Sequence, residues 1–183
     1  MTAASPTDAP NVRWATDGPR VWTSEEGWLW VFTTLEHWNA ECLGPHVCKR
    51  GNRFAAYEPI AQAVQRIFGS RPPGVARGVE RRHDHGSQYL TDYLQSQSRF
   101  HAFTPSFAFV GKPETNCVVE RFNRTLKEQF IHGHTYRNRD ELAAALSTFV
   151  ELYNHERRLE KLRHRTPLQT RRHYQSSSSL LAA

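Results

Sequence analysis

No stretch of the chain holds the roughly 20 consecutive apolar residues of a membrane span. No basic segment followed by an apolar run opens it, which argues against a secretory leader. Cysteine is scarce: Cys42, Cys48 and Cys117 are the full set, too few and too irregular for a disulfide framework. Reduced thiols and a cytoplasmic setting follow as the expectation. Internal repeats are missing as well. Acid is in the minority, with 18 Asp and Glu against 24 Lys and Arg, a formal charge of +6. That balance turns attention to polyanionic partners, nucleic acid first. The bases are grouped, in "RGVERRH" and in "HERRLEKLRHRTPLQTRRHY", but neither group is a DNA-reading motif.

What is present is one domain's worth of patterned sequence. With 183 residues, the chain can build a sizeable core. Residues 1–11 and 175–183 lack periodicity and are expected to be disordered, leaving 12–174 as the folded part. "VRWATDG" reads as a strand ending at Asp17. "RVWTSEEGWLWVFTTLEH" reads as a hairpin turning at Glu26-Gly27, and "AECLGPHV" as a shorter strand. "YEPIAQAVQRIFG" predicts a helix with Pro59 in its first turn and Gly69 as its stop. Then come a strand leading to Asp84, a short helix capped by Ser87, and a strand in "FHAFTP". Two stronger helices close the series. One carries Val119, Phe122, Leu126 and Phe130; the other opens with Asn138 and Glu141 in a capping-box arrangement. The order predicts an α/β fold with a mixed sheet and helices packed over it.

Three acids attract attention. Asp17 ends the first strand, Asp84 follows a later one, and Glu120 lies on a helix. Strand ends in α/β sheets are where ligands are usually met. Asn116, Asn123, Arg124 and Lys127 share the helical face of Glu120, at offsets of three, four and seven residues. Each acid alone has a plainer explanation: Asp beside Gly makes turns, and a Glu120–Arg124 ion pair on an exposed helix is common and weak. His37, Cys42, His46 and Cys48 match no standard zinc spacing, and the alternation of a strand accounts for them better.

Taken together, "WATD", "HDHGSQY" and "GKPETNCVVERFNRTLKEQ" resemble the catalytic core of DDE transposases and retroviral-type integrases, especially the second-frame transposases of bacterial insertion sequences. In that family 35 residues separate the last two acids, as they separate Asp84 and Glu120, and a Lys or Arg follows the Glu by seven residues, as Lys127 does. The likeness runs to "ELYNHERRLEKLRHRTP" and spans about Val12 to Arg171.

The resemblance implies a ribonuclease H-like fold with a five-stranded mixed sheet flanked by helices. It implies that Asp17, Asp84 and Glu120 are catalytic and hold two divalent ions, Mg²⁺ with Mn²⁺ as a substitute. It implies DNA as substrate, both transposon ends and target, a homo-oligomer on that DNA, and a bacterial cytoplasmic protein associated with the nucleoid when bound. Lys127, Arg124 and Asn116 would contact DNA from the helix face, and Arg81 and Arg82 its backbone. His83 and His85 are assigned to supporting or DNA contacts rather than to the metal. The chain begins almost at the first catalytic strand, whereas relatives usually carry a helix-turn-helix ahead of it. "TDGPR" and Leu159 also depart from the family pattern. Two alternatives follow: an inactive remnant that binds DNA non-specifically, or a nuclease that cuts without joining. A zinc deaminase would need His-x-Glu and Cys-x-x-Cys elements, which the chain lacks.

Overall fold

The computed structural model describes residues 7–83, 86–107 and 117–181. Its sheet is built around one long strand, β3 (Gly27–Glu36), which alternates Leu29 and Val31 on one face with Trp30 and Phe32 on the other. β1 (Arg13–Asp17) and β2 (Arg20–Thr23) both pair antiparallel with β3. The register is continuous across them: Trp14 faces Glu36, Asp17 faces Thr33, Arg20 faces Trp30 and Trp22 faces Trp28. They are therefore two halves of one hairpin arm, interrupted at Gly18-Pro19. Gly18 is required there, since a Cβ would overlap the Phe32 ring.

β4 (Cys42–Cys48) covers the other side of β3. It tolerates Pro45 because it is an edge strand, where a missing N–H costs no ladder bond. β5 (Glu80–His83) lies parallel to β1, and β6 (Thr104–Phe107) parallel to β5. Six strand segments thus occupy five places across the sheet, in agreement with the five-stranded mixed sheet expected. The strand expected in "FHAFTP" begins later, because Phe100 still belongs to a helix and Ala102 turns the chain in the left-handed region.

Two apolar layers sandwich the sheet. α1 (Arg53–Phe68) and α2 (Asp92–Phe100) cover one face, where Ile60, Val64 and Leu94 meet Trp14 and Phe32. α3 (Cys117–Leu126) and α4 (Arg139–Glu156) cover the other, with Val119, Phe122, Leu142 and Leu146 against Ala15 and Leu29. Each such fully buried side chain contributes about 1.5–3 kcal/mol relative to exposure. Cys42 packs into the second layer and Cys48 against the first, so β4 sends them to different faces.

Helix starts differ from the sequence reading in three places. α1 starts at Arg53, because Asn52 accepts from the N–H groups of Phe54 and Ala55. Pro59 consequently lies inside the helix. Thr91, not Ser87, caps α2. α5 (Pro167–Leu181) runs through most of the region expected to be a loose tail. Thr166 and Gln169 exchange side-chain bonds at its start, and Pro167 occupies the first helical position. α5 is tied down by Arg171, whose Nε donates to buried Glu41 and whose guanidinium lies 3.6 Å from Glu36. Part of the basic C-terminal group is therefore spent inside the protein.

Candidate functional site

β1, β5 and β6 are parallel, so their C-terminal ends come to one edge of the sheet. Asp17 stands at that edge, half-buried, at the break before Gly18-Pro19. Its Oδ1 accepts from the Gly18 backbone N–H at 2.8 Å, and its Oδ2 accepts from the Asn123 side-chain amide. Asn123 belongs to α3, so this bond fixes that helix against the end of β1. Its position three residues after Glu120 puts Glu120 on the same helical face, one turn away. β5 ends beside β1, with His83 paired to Thr16. Asp84, the next residue, and Asn116 both lie outside the described residues.

Glu120 is exposed in the first turn of α3, and its carboxylate makes no hydrogen bond or ion pair with any described residue. The surface ion pair with Arg124 is thus not formed. Glu120, Asn123, Arg124, Lys127, Glu128 and His132 line one open depression of about 420 Å³. Lys127 begins a wider helical turn over Lys127–Ile131, in which the His132 N–H reaches back five residues to the Lys127 carbonyl. Such wide turns are frequent at functional sites. Here the wide turn follows the face shared by Glu120, Arg124 and Lys127, so it leaves their alignment intact.

Among the described residues, no group of three or more His, Cys, Asp or Glu converges to hold a metal. The two acids that are described fit a hard divalent ion by donor type: both are carboxylates, and oxygen ligands suit Mg²⁺ and Mn²⁺. A carboxylate offers about four lone-pair positions. The Gly18 and Asn123 bonds orient the Asp17 carboxylate.

Two expected DNA contacts are corrected. Arg81 and Arg82 lie within β5, and both are buried, at 1% and 6% exposure. Arg82 donates to Ser106 Oγ through Nε and Nη2, at 3.3 and 3.2 Å. Arg81 pairs in register with Trp14 and points into the same apolar layer. Its guanidinium has no hydrogen-bond partner among the described residues, and burial pulls it down to about 10. Neither offers a cation to a DNA backbone. Lys127 and Arg124 are exposed where the sequence places them. The residue whose role was missed is Asn123; its helical offset from Glu120 was the available signal.

Residues 101–167 match the model of the integrase core domain. Transposase InsF of insertion sequence IS3A from Escherichia coli (strain K12) is 30% identical over 150 residues, covering 81% of this chain and 50% of that protein. The insertion element IS600 uncharacterized 31 kDa protein from Shigella sonnei is 29% identical over 170 residues, covering 91% of this chain and 59% of that protein. The chain therefore spans about half the length of the curated relatives it matches. Among solved structures, the catalytic core domain of BIV integrase superposes with a TM-score of 0.62 at 16% identity, covering 92% of this chain and 99% of that one. The HTLV-2 integrase catalytic core domain, in complex with magnesium in a trimeric form, gives 0.61 at 14% identity over 88% and 96%. The fold is therefore that of integrase catalytic cores, the ribonuclease H-like arrangement. The matches support a DDE transposase/integrase catalytic core.

Proposed function

We propose that this chain is the catalytic core of a DNA transposase that cuts transposon ends and joins them to target DNA. The observation that carries the reading is the Asn123–Asp17 bond, which holds the Glu120 face of α3 against the end of β1. Asp17, Asp84 and Glu120 would hold two divalent ions, Mg²⁺ in the first place. When bound, such ions supply Lewis acidity at both the attacking and the leaving oxygen of an in-line displacement.

The chain's own residues do the positioning. Gly18 and Asn123 fix the rotamer of Asp17. Glu120 stands free of competing cations at the same edge. Lys127 and Arg124, seven and four residues on, place positive charge along the groove, where they hold phosphates of the transposon end. In the first step, a water oxygen bonds to phosphorus, the P–O3′ bond breaks, and the 3′ oxygen leaves with a proton as a 3′-OH. In the second, that 3′-OH loses its proton and attacks a target phosphodiester, releasing the target's own 3′-OH. A homo-oligomer assembled on paired ends would present two such sites.

A second reading, an inactive remnant that still binds DNA, draws support from one observation: the buried Arg81 guanidinium without a described partner is a costly feature for a maintained core. The discriminating experiment incubates the chain with Mg²⁺ and a labelled end of the matching insertion sequence. Joined product supports the transposase. Cleavage without joining points to a nuclease, and neither product points to the remnant.

A further inference from the structure

The hairpin arm that continues past Asp17 has an unusual outer face. Trp22 and Trp28 are directly paired across β2 and β3, and their rings meet edge-on at 5.5 Å. Both remain more than half exposed, at 55% and 54%. The guanidinium of Arg20 lies 5.6 Å from the ring centres of both Trp28 and Trp30. Trp30 stacks in turn on Phe32, and its other side lies against Gly51, where a Cβ would overlap the indole. The turn through Gly51 leads into Arg53, which sits 4.9 Å over exposed Phe54, itself 4.6 Å from Tyr93. The result is one strip of alternating aromatic rings and cations.

Three features argue against ordinary surface. Segments 18–32 and 46–56 supply Arg20, Lys49, Arg50 and Arg53; their two acids, Glu25 and Glu26, sit at the hairpin tip and accept from the Asn138 side chain and the Arg139 backbone N–H. The strip is rigidly mounted: Val21, Leu29 and Val31 bury the opposite face of the arm. The hairpin tip is also clamped by Ser24 and Glu25 donating to the carbonyls of Tyr136 and Arg137. Finally, the ring surface does not end at the exposed Trp22–Trp28 pair: Arg20 bridges Trp28 and the half-buried Trp30, and Arg53 covers exposed Phe54. Aromatic faces for bases, with cations for the phosphates between them, are what binds unpaired nucleotides; a duplex hides its base faces.

We propose that this strip binds single-stranded DNA, with bases stacking on Trp22 and Trp28 and phosphates held by Arg20, Lys49 and Arg53. The choice of DNA rests on the function proposed above. Trp22 lies five residues beyond Asp17, roughly 17 Å along a strand at about 3.3 Å per residue. By the alternation of the pleat it projects from the sheet face opposite Asp17. The strip is thus a separate surface that an unpaired strand reaches by passing the sheet edge.

The test is fluorescence anisotropy of the full chain with a labelled 12-nucleotide single strand, its duplex and the RNA equivalent, in chelator so that no cleavage occurs. The expected result is tighter binding of single-stranded DNA than of either alternative, weakened about tenfold by Trp22→Leu and by Arg20→Gln. Trp22→Phe, which keeps a stacking face, should recover most of it, and circular dichroism would show all three variants folded. Glu120→Gln should bind the single strand as the natural chain does. Absence of Mg²⁺-dependent cleavage by the natural chain, with its strand binding intact, would therefore sink the transposase reading and not this one. Unchanged binding in Trp22→Leu and Arg20→Gln, equal binding of duplex, or tighter binding of RNA would overturn the proposal. So would a DNA-free dimer that Trp22→Leu dissolves, which would make the strip a self-association surface.

Discussion

The Asn123 amide of α3 donates to Asp17 Oδ2 at the end of β1, across 106 positions of sequence. This single bond ties the helix that carries Glu120, Arg124 and Lys127 to the strand end that carries the first acid. Removing it with Asn123→Ala should cost about 1 kcal/mol of stability. It should lower metal-dependent cleavage more steeply, about ten- to a hundredfold, as the loss of a group that orients a metal ligand does. Parallel measurement of unfolding and cleavage checks this; a stability loss with unchanged cleavage would make the contact purely structural.

Arg81 predicts the opposite sign. A buried guanidinium with no described partner keeps its desolvation cost and recovers little of it. Arg81→Met retains volume and removes the charge, so it should stabilise the chain by about 1 to 4 kcal/mol. Urea unfolding would register that as a higher midpoint at the same slope. A lower midpoint would mean that the charge has a partner in the working protein.

The three thiols should react in a set order. Burial pushes Cys42 up to about 12 and Cys48 up to about 11. Cys117 is exposed in the first turn of α3, three residues before Glu120. Limited maleimide treatment at pH 7.5 should label Cys117 first, by peptide mass spectrometry, and should abolish cleavage in step with labelling. Cys117→Ser should keep its activity in the reagent. Prior labelling of Cys48 would contradict the burial pattern.

Glu36 gives a pH signature. It is fully buried, and burial raises its carboxyl above the ordinary 4.5 despite the bonds from Asn11, Trp38 and Trp14 and the nearby charge of Arg171. The folded chain therefore holds this proton more firmly than the unfolded chain. The stability from this group is full below pH 4.5 and is lost as the pH rises through its folded value. Glu36→Gln lacks that loss, so its stability relative to the natural chain should increase from pH 4.5 towards 7. Denaturant unfolding at several pH values measures it, and a difference that shrinks with pH would reverse the assignment.

Local patterns were legible where the physics is local. Asn138 caps α4 as its sequence indicates, and the apolar spacing of Val119, Phe122 and Leu126 marks the buried face of α3. The start of α5 is equally marked by Thr166-Pro167 and Gln169, but the serine run after it carries no helical periodicity of its own. Pro59 misled because proline favours first turns, while the cap signal at Asn52 lay seven residues earlier. What could not be read locally depends on register. Arg81 is buried because it pairs with Trp14, 67 positions away, and nothing in "ERRH" reveals that neighbour. The Asn123–Asp17 bond is equally non-local: sequence offsets align Asn123 with Glu120, but only the packing of α3 on β1 brings it to Asp17.

The central claim is that Asp17, Asp84 and Glu120 act as one metal-binding set. The most direct measurement is Mg²⁺-dependent cleavage of a labelled transposon end by the natural chain, Asp17→Asn, Asp84→Asn and Glu120→Gln, each verified as folded. The account predicts cleavage by the natural chain and none above background for any of the three variants. Cleavage by Glu120→Gln or Asp84→Asn at the natural rate would contradict it.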